Sequence, residues 1–318
     1  MNSASNQNLK GILFASITAF LWGFLAIALK VSLHDLDSIT IVWFRFFFAF
    51  SVLFSYFLVK DRKQLNIIKR PPFILIVAAL GLGLNYLGFL EGVNYTSPTN
   101  AQIIIQTAPI LLGVVGFIFF KEKINLKQGI GFGIAGIGLF FFYRNQLAHF
   151  IHDADAFNKG FVWVETAAIA WVVYAALQKK LVQKHPAQTL NMVLYGIPAL
   201  LYMPMADFGA LLHLSLGSWL LLIFLGMNTL VAYGCIALAF KYTQAYKVSI
   251  IITLNPIITV TTMAILGYLQ VSWIQAESLS FHSILGAIMV LGGAVIAVFF
   301  SRKNKPEVIP AKTSDKIN

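Results

Sequence analysis

The residues of this sequence that could do chemistry are few, and they sit within long apolar stretches. Arg45 stands in Trp43-Phe44-Arg45-Phe46-Phe47, Glu165 in Trp163-Val164-Glu165-Thr166-Ala167, and Glu91 in Phe89-Leu90-Glu91-Gly92. A charge at the centre of a membrane helix costs about 2.5–3.5 kcal/mol on insertion scales, so such residues usually face a cavity or a partner. Arg45 could bind a carboxylate or phosphate, and Glu165 could take up a proton or a cationic ligand. The plainer alternatives are that Arg45 snorkels to the headgroups and that Glu165 caps or pairs locally.

Uncharged groups extend the set. Trp22 and Trp171 lie away from the interfaces that tryptophan prefers. They could stack on a flat or cationic group from both sides of a central space, or simply pack helices. Gln106 and Asn255, with Asn85 and Asn228, need hydrogen-bond partners wherever water is excluded. Gln106 and Asn255 also lie beside Pro109 and Pro256. A proline removes a backbone donor and clashes with the i−4 carbonyl, so breaks are predicted near residues 105 and 252. Such breaks are tolerated where helices line a cavity. The candidate binding set is Trp22, Arg45, Tyr86, Gln106, Trp171, Tyr233 and Asn255. Glu165, Glu91, Pro109 and Pro256 are candidates for gating or proton coupling.

Other patterns carry no chemistry. Gly131-Phe132-Gly133-Ile134-Ala135-Gly136 has the spacing of a dinucleotide loop, but it lies inside an apolar segment with no strand before it. It reads as a close-packed helix face, through the Gly129–Gly133 spacing. His149 and His152 with Asp153 read as a polar loop rather than a metal site. The sequon at Asn94 abuts an apolar segment. The single cysteine, Cys235, excludes an intrachain disulfide, and no Cys/His metal pattern or nucleotide-binding loop occurs, so neither cofactor nor metal is expected.

The elements that must position these residues follow from composition. Of 318 residues, 58% are hydrophobic and 11% charged, with a mean hydropathy of +0.79. Soluble chains carry about a quarter charged residues, so this is an integral membrane protein in a lipid bilayer. The net charge of +11 would suggest nucleic acid if it were clustered. It is instead spread in short runs between apolar stretches, which excludes nucleic-acid binding.

A helix needs about 20 apolar residues to cross the bilayer core. Ten segments qualify, at roughly 11–30, 39–59, 73–91, 98–119, 127–143, 160–178, 187–206, 217–238, 246–267 and 283–300. The first is too long for a signal-peptide core and lacks its basic start. With the N-terminus inside, nineteen of the 23 lysines and arginines fall inside. Lys30, Arg144 and Lys159 fall outside, and Arg45 lies within a span. Both termini are therefore predicted cytoplasmic. Arg45 and Glu165 are each about five or six residues in from the outer boundary, roughly 9 Å at 1.5 Å per residue, so a pair between them is possible near an outer gate.

The sequence repeats. Tyr95-Thr96, Ile103-Ile104-Ile105 and Pro109-Ile110 recur at an offset of 147 as Tyr242-Thr243, Ile250-Ile251-Ile252 and Pro256-Ile257, and Tyr86 falls on Tyr233. Lys10-Gly11 and Trp22 recur at an offset of 149 as Lys159-Gly160 and Trp171. Five spans per copy places the copies in opposite orientations, an inverted repeat of the kind found in secondary transporters. The expected organisation is a first five-helix repeat over 1–143, an outside linker over 144–159, a second repeat over 160–301, and a disordered cytoplasmic tail over 302–318.

This layout resembles the drug/metabolite transporter superfamily, in particular the ten-span EamA-type carriers. The resemblance rests on Lys10-Gly11, Thr18-Ala19-Phe20-Leu21-Trp22-Gly23, Arg45-Phe46, Tyr95-Thr96-Ser97-Pro98, Thr107-Ala108-Pro109-Ile110 and Phe120-Lys121-Glu122-Lys123. In the second copy it rests on Tyr242-Thr243 and Leu254-Asn255-Pro256-Ile257. One departure is that the acidic residue usual after the ninth span is replaced, Glu122 aligning with Leu269. The resemblance implies a secondary active transporter in a bacterial inner membrane, moving small polar or amphipathic metabolites such as amino acids by alternating access. It implies export as the favoured direction, and Glu165 makes protons a candidate coupling ion. A nucleotide-sugar or nucleotide exchanger would need several cavity cations where only Arg45 is found. A receptor or assembly subunit would show no polar cavity, and a membrane enzyme would need clustered His, Asp or Glu at one depth.

Overall fold

Short polar stops divide the chain into helices. The computed structural model describes residues 3–119, 125–149, 155–275 and 281–300, and no strand occurs among the described residues. The helices that position the site are α1 (Ser3–Ser32), α2 (Ser38–Lys60), α3 (Phe73–Tyr95), α4a (Pro98–Ile104), α4b (Thr107–Phe119), α5 (Leu126–His149), α6 (Asp155–Leu181), α7 (Ala187–Tyr202), α8 (Leu216–Tyr242), α9a (Ala245–Ile252), α9b (Asn255–Tyr268) and α10 (Phe281–Phe299). Caps set several starts. The Asp37 carboxylate accepts from the backbone N–H groups of Ile39 and Thr40 at 2.9 and 3.0 Å. Ser97 and Ser215 do the same for α4a and α8, and Pro98 takes the first position of α4a.

Among the described residues, five helices, α1, α2, α3, α6 and α8, are individually long and apolar enough to cross a membrane. The segments expected as single spans at 98–119 and 246–267 are each two helices, interrupted at residues 105–106 and 253–254. Pro109 and Pro256 follow these interruptions and account for them. Around the first, Ala108 N–H turns to the Ile105 carbonyl at 2.9 Å, a tighter i→i+3 bond, so that carbonyl has a partner after all. The segment expected to run to 206 ends as α-helix at Tyr202, because Pro204 forces a 3₁₀ turn over Met203–Met205. Lys121-Glu122-Lys123, His152, Asp153 and the tail over 302–318 lie outside the described residues.

The packing follows one pattern. Helix α1 packs along α8 and α3 along α6, while α2 packs on α7 and α5 on α10. Helix α4b packs against α6 and α9a, and α9b against α1 and α4a. Two glycines permit close approaches at equivalent places in the α6–α3 and α1–α8 pairs. A Cβ on Gly160 would lie 2.6 Å from Thr96 Cγ2, and one on Gly11 would lie 2.7 Å from Thr243 Cβ. Large apolar side chains such as Phe73, Leu200 and Phe281 face outward, as expected where the surroundings are lipid.

The close-packed glycine face of α5 is not the one its Gly129–Gly133 spacing suggests. A Cβ on either would meet nothing within 4 Å. On Gly138 it would lie 2.6 Å from the Val290 backbone nitrogen, and on Gly293 of α10 it would lie 2.5 Å from the Gly131 carbonyl oxygen. Gly131, Ala135 and Gly138 form the i, i+4, i+7 stripe that meets α10; Gly129 and Gly133 are offset from it by two residues, about 200° around the helix.

Candidate functional site

Where the two interrupted helices meet, their breaks are joined. Gln106 Nε2 donates to Asn255 Oδ1 at 3.0 Å and to the Gln102 carbonyl at 2.9 Å. Gln102 Nε2 donates in turn to the Trp22 carbonyl at 3.3 Å, tying α4a to α1. All three amides are buried. They border a cavity of about 60 Å³ whose lining includes Trp22, Arg45, Tyr86, Gln106, Pro109, Trp171 and Asn255. Asn85, Gln102, Phe89 and Ile252 complete much of the wall.

Aromatic rings form its floor. Trp22 and Trp171 meet edge-to-face, with centroids 6.2 Å apart and planes at 76°. They therefore touch each other and do not form two parallel walls around a guest. Tyr233 packs on Trp22 at 5.2 Å and on Tyr86 at 5.3 Å, one layer behind the lining. Its hydroxyl donates to Asn85 Oδ1 at 3.3 Å, and Asn85 Nδ2 donates to the Ala167 carbonyl at 3.0 Å. Asn228 stands apart, donating to the Leu21 carbonyl at 3.0 Å.

Arg45 is 2% exposed and is the only charged side chain fully buried among the described residues. Its Nε donates to Thr229 Oγ1 at 3.1 Å, and its guanidinium carbon sits 4.2 Å from the Tyr86 ring centroid. Neither partner carries a charge. The Thr229 hydroxyl donates to the Leu225 carbonyl at 3.0 Å, which leaves its oxygen oriented to accept from arginine. Arg45 and Glu165 do not pair. Glu165 Oε1 accepts from Thr107 Oγ1 at 2.9 Å, across from α6 to the start of α4b. The reason is topological: α2 packs on α7 and α8, while α6 packs on α3 and α4b. Arg45 thus shares the central cavity with Trp22 and Gln106 and is not at an outer gate. Glu165 and Glu91 are half-buried and are not among the lining residues. Pro256 lines a second, apolar cavity of about 160 Å³ beside α10.

Four buried polar atoms at this cavity have no hydrogen-bond partner: Trp22 Nε1, Trp171 Nε1, the Tyr86 hydroxyl and Gln106 Oε1. Unpaired buried polar atoms are costly and cluster at functional sites. Sequence reasoning missed Gln102 and Thr229. Gln102 carried a signal, being four residues before Gln106 on the same helix face. Thr229 carried none, since it meets Arg45 across 184 residues.

Two lysines hold helix ends outside this centre. Lys30 Nζ donates to the carbonyls of Val93 and Asn94 at 3.1 and 3.0 Å, at the C-terminus of α3. Lys179 Nζ donates to the Thr243 carbonyl at 3.2 Å, at the C-terminus of α8. Cations at helix C-termini complement the helix dipole. Gly160 meets Thr96 near the first cap, and Lys179 lies nineteen residues further along α6, so the caps stand about 28 Å apart at opposite ends of the bundle.

The model of the EamA-like transporter family matches residues 9–144 and 158–299. An uncharacterized transporter of Haemophilus influenzae is 33% identical over 292 residues, covering 92% of this chain and 95% of its own. The uncharacterized inner membrane transporter YhbE of Escherichia coli K12 is 32% identical over 295 residues, covering 92% of each chain. A crystal structure sharing 15% identity superposes with a TM-score of 0.68, covering 95% of this chain and all of that one, which speaks to the fold alone.

Proposed function

This chain belongs to the EamA-like transporter family, and on that premise we propose that it is a secondary active transporter moving a small polar or amphipathic metabolite across a bacterial inner membrane. Ten spans, arranged as two inverted five-helix repeats, carry it out by alternating access, with both termini cytoplasmic and export the favoured direction. The halves are 1–143 and 160–301. The family model's match to each half supports the duplication. So does the packing. Exchanging the halves converts the α1–α8 pair into α6–α3, the α4b–α6 contact into α9b–α1, and leaves α2–α7 and α5–α10 as they are. The broken helices α4 and α9 are then single interrupted spans, the form that lines substrate sites in such transporters.

The observation that carries the reading is the cavity at which equivalent elements of both halves converge, with the two breaks joined by the Gln106–Asn255 bond. Trp22, Arg45, Tyr86, Gln106, Trp171 and Asn255 are its binding residues, with Tyr233 supporting Trp22 and Tyr86 from behind. Glu165, on Thr107 beside the first break, is the candidate proton site. Liposomes holding the full chain and loaded with a bacterial metabolite extract test this. One chemical class should leave faster than from protein-free liposomes. No protein-dependent efflux, with or without an imposed proton gradient, refutes it.

A further inference from the structure

We infer that the ligand of the central cavity is a small organic monoanion whose carboxylate is received by Arg45, and that cations are refused there. This rests on the transport reading and deepens it by assigning the charge of the substrate.

Arg45 brings one full positive charge to the cavity wall, and its partners, the Thr229 hydroxyl and the Tyr86 ring, are neutral. No aspartate or glutamate lines the cavity among the described residues. A buried charge is tolerated when it is paired, and the planar guanidinium fork matches a carboxylate. One positive charge balances one negative charge, so a dianion leaves an excess and a cation meets only repulsion. The unpartnered atoms describe the rest of the guest. The indole donors of Trp22 and Trp171 seek acceptors, which a carboxylate supplies in surplus. Gln106 Oε1 seeks a donor, which a hydroxyl substituent supplies without adding charge. Phe89, Ile105 and Ile252 offer apolar contact to its body. The assigned class is therefore a monocarboxylate bearing a hydrogen-bond donor and a modest apolar body.

The test uses the purified full chain in detergent and equilibrium binding with thermal unfolding as a second readout, since a ligand specific to the folded state raises the melting temperature. The probes are lactate and 3-phenyllactate (monoanions), succinate (a dianion), glycerol (neutral) and putrescine (a dication). One or both monoanions should bind at millimolar concentrations or below, and glycerol and putrescine should not. Arg45→Gln should weaken monoanion binding at least about 30-fold, which is about 2 kcal/mol at 1.4 kcal/mol per tenfold. Arg45→Lys should fall between, and with the charge panel on the unaltered chain it decides the matter if Arg45→Gln fails to fold. Binding of putrescine or glycerol in preference to the monoanions overturns the charge assignment. Unchanged monoanion affinity in Arg45→Gln also overturns it. Binding of none of the five probes overturns it too, and the liposome efflux assay then reports separately whether transport itself survives.

Discussion

The joint between the two broken helices can be measured by a double-mutant cycle. Gln106 Nε2 carries two hydrogens, so its bonds to Asn255 Oδ1 at 3.0 Å and to the Gln102 carbonyl at 2.9 Å are made at once. Asn255→Leu removes the first bond and leaves the second. Gln106→Leu removes both and strands Asn255 Oδ1 in the interior. An orphaned buried acceptor costs about 1–3 kcal/mol, so Gln106→Leu should be the more destabilising of the two. Interhelical side-chain bonds in membrane proteins average about 0.6 kcal/mol and reach about 1.7 kcal/mol. The double variant should therefore lose less stability than the sum of the single losses, by about 0.6–1.7 kcal/mol. Reversible unfolding of the purified chain in sodium dodecyl sulfate, followed by far-ultraviolet circular dichroism, reads this out. Additivity within about 0.3 kcal/mol, as found for independent sites, would mean that the breaks do not act on one another. The reading of a joined central hinge would then fall.

Three further outcomes follow from the packing and the site. Gly138→Ala should lower stability by about 1–3 kcal/mol, because its Cβ would press on α10 backbone; Gly133→Ala, facing open space, should raise it by up to about 1 kcal/mol through helix propensity, both measured by thermal unfolding. Lys30→Met and Lys179→Met should each cost about 0.3–1 kcal/mol by loss of a C-terminal cap, and each should increase thiol labelling of a single introduced cysteine at its own end of the bundle only. Glu165→Gln should flatten the pH dependence of efflux from liposomes; an unaltered profile would leave Glu165 as a structural acceptor for Thr107.

Much of the scaffold was legible because lipid imposes a simple rule: apolar runs become helices. The breaks were legible too, since Pro109 and Pro256 announce a missing donor wherever they stand. The site was legible in kind, because buried arginine, midspan tryptophans and amides are expensive in hydrocarbon. What one sequence does not encode is rotation and neighbourhood. Equal depth suggested an Arg45–Glu165 pair, yet the partners are Thr229 and Thr107, fixed by which helices lie side by side. The same limit misassigned the glycine face of α5: spacing names two possible stripes, and only the position of α10 chooses between them.

The strengths of the contacts arrange themselves in an order that bears on mechanism. Both end caps, at Lys30 and Lys179, are formed together around a cavity of about 60 Å³, well below the roughly 300–1,000 Å³ of ordinary ligand pockets. On the proposed transport reading, a metabolite enters as helices part at one end or the other. A single cap contributes about 0.3–1 kcal/mol, whereas a charge-assisted bond from Arg45 to a carboxylate would contribute about 1.5–3 kcal/mol. A ligand can shift a conformational equilibrium only by its differential affinity for the two states. The centre is thus able to offer more than either end can withhold, provided that the Gln106–Asn255 joint keeps the two breaks moving as one. A strong shared centre with two weak, separable ends is the ordering that the proposed alternating access requires, one end opening while the other stays shut.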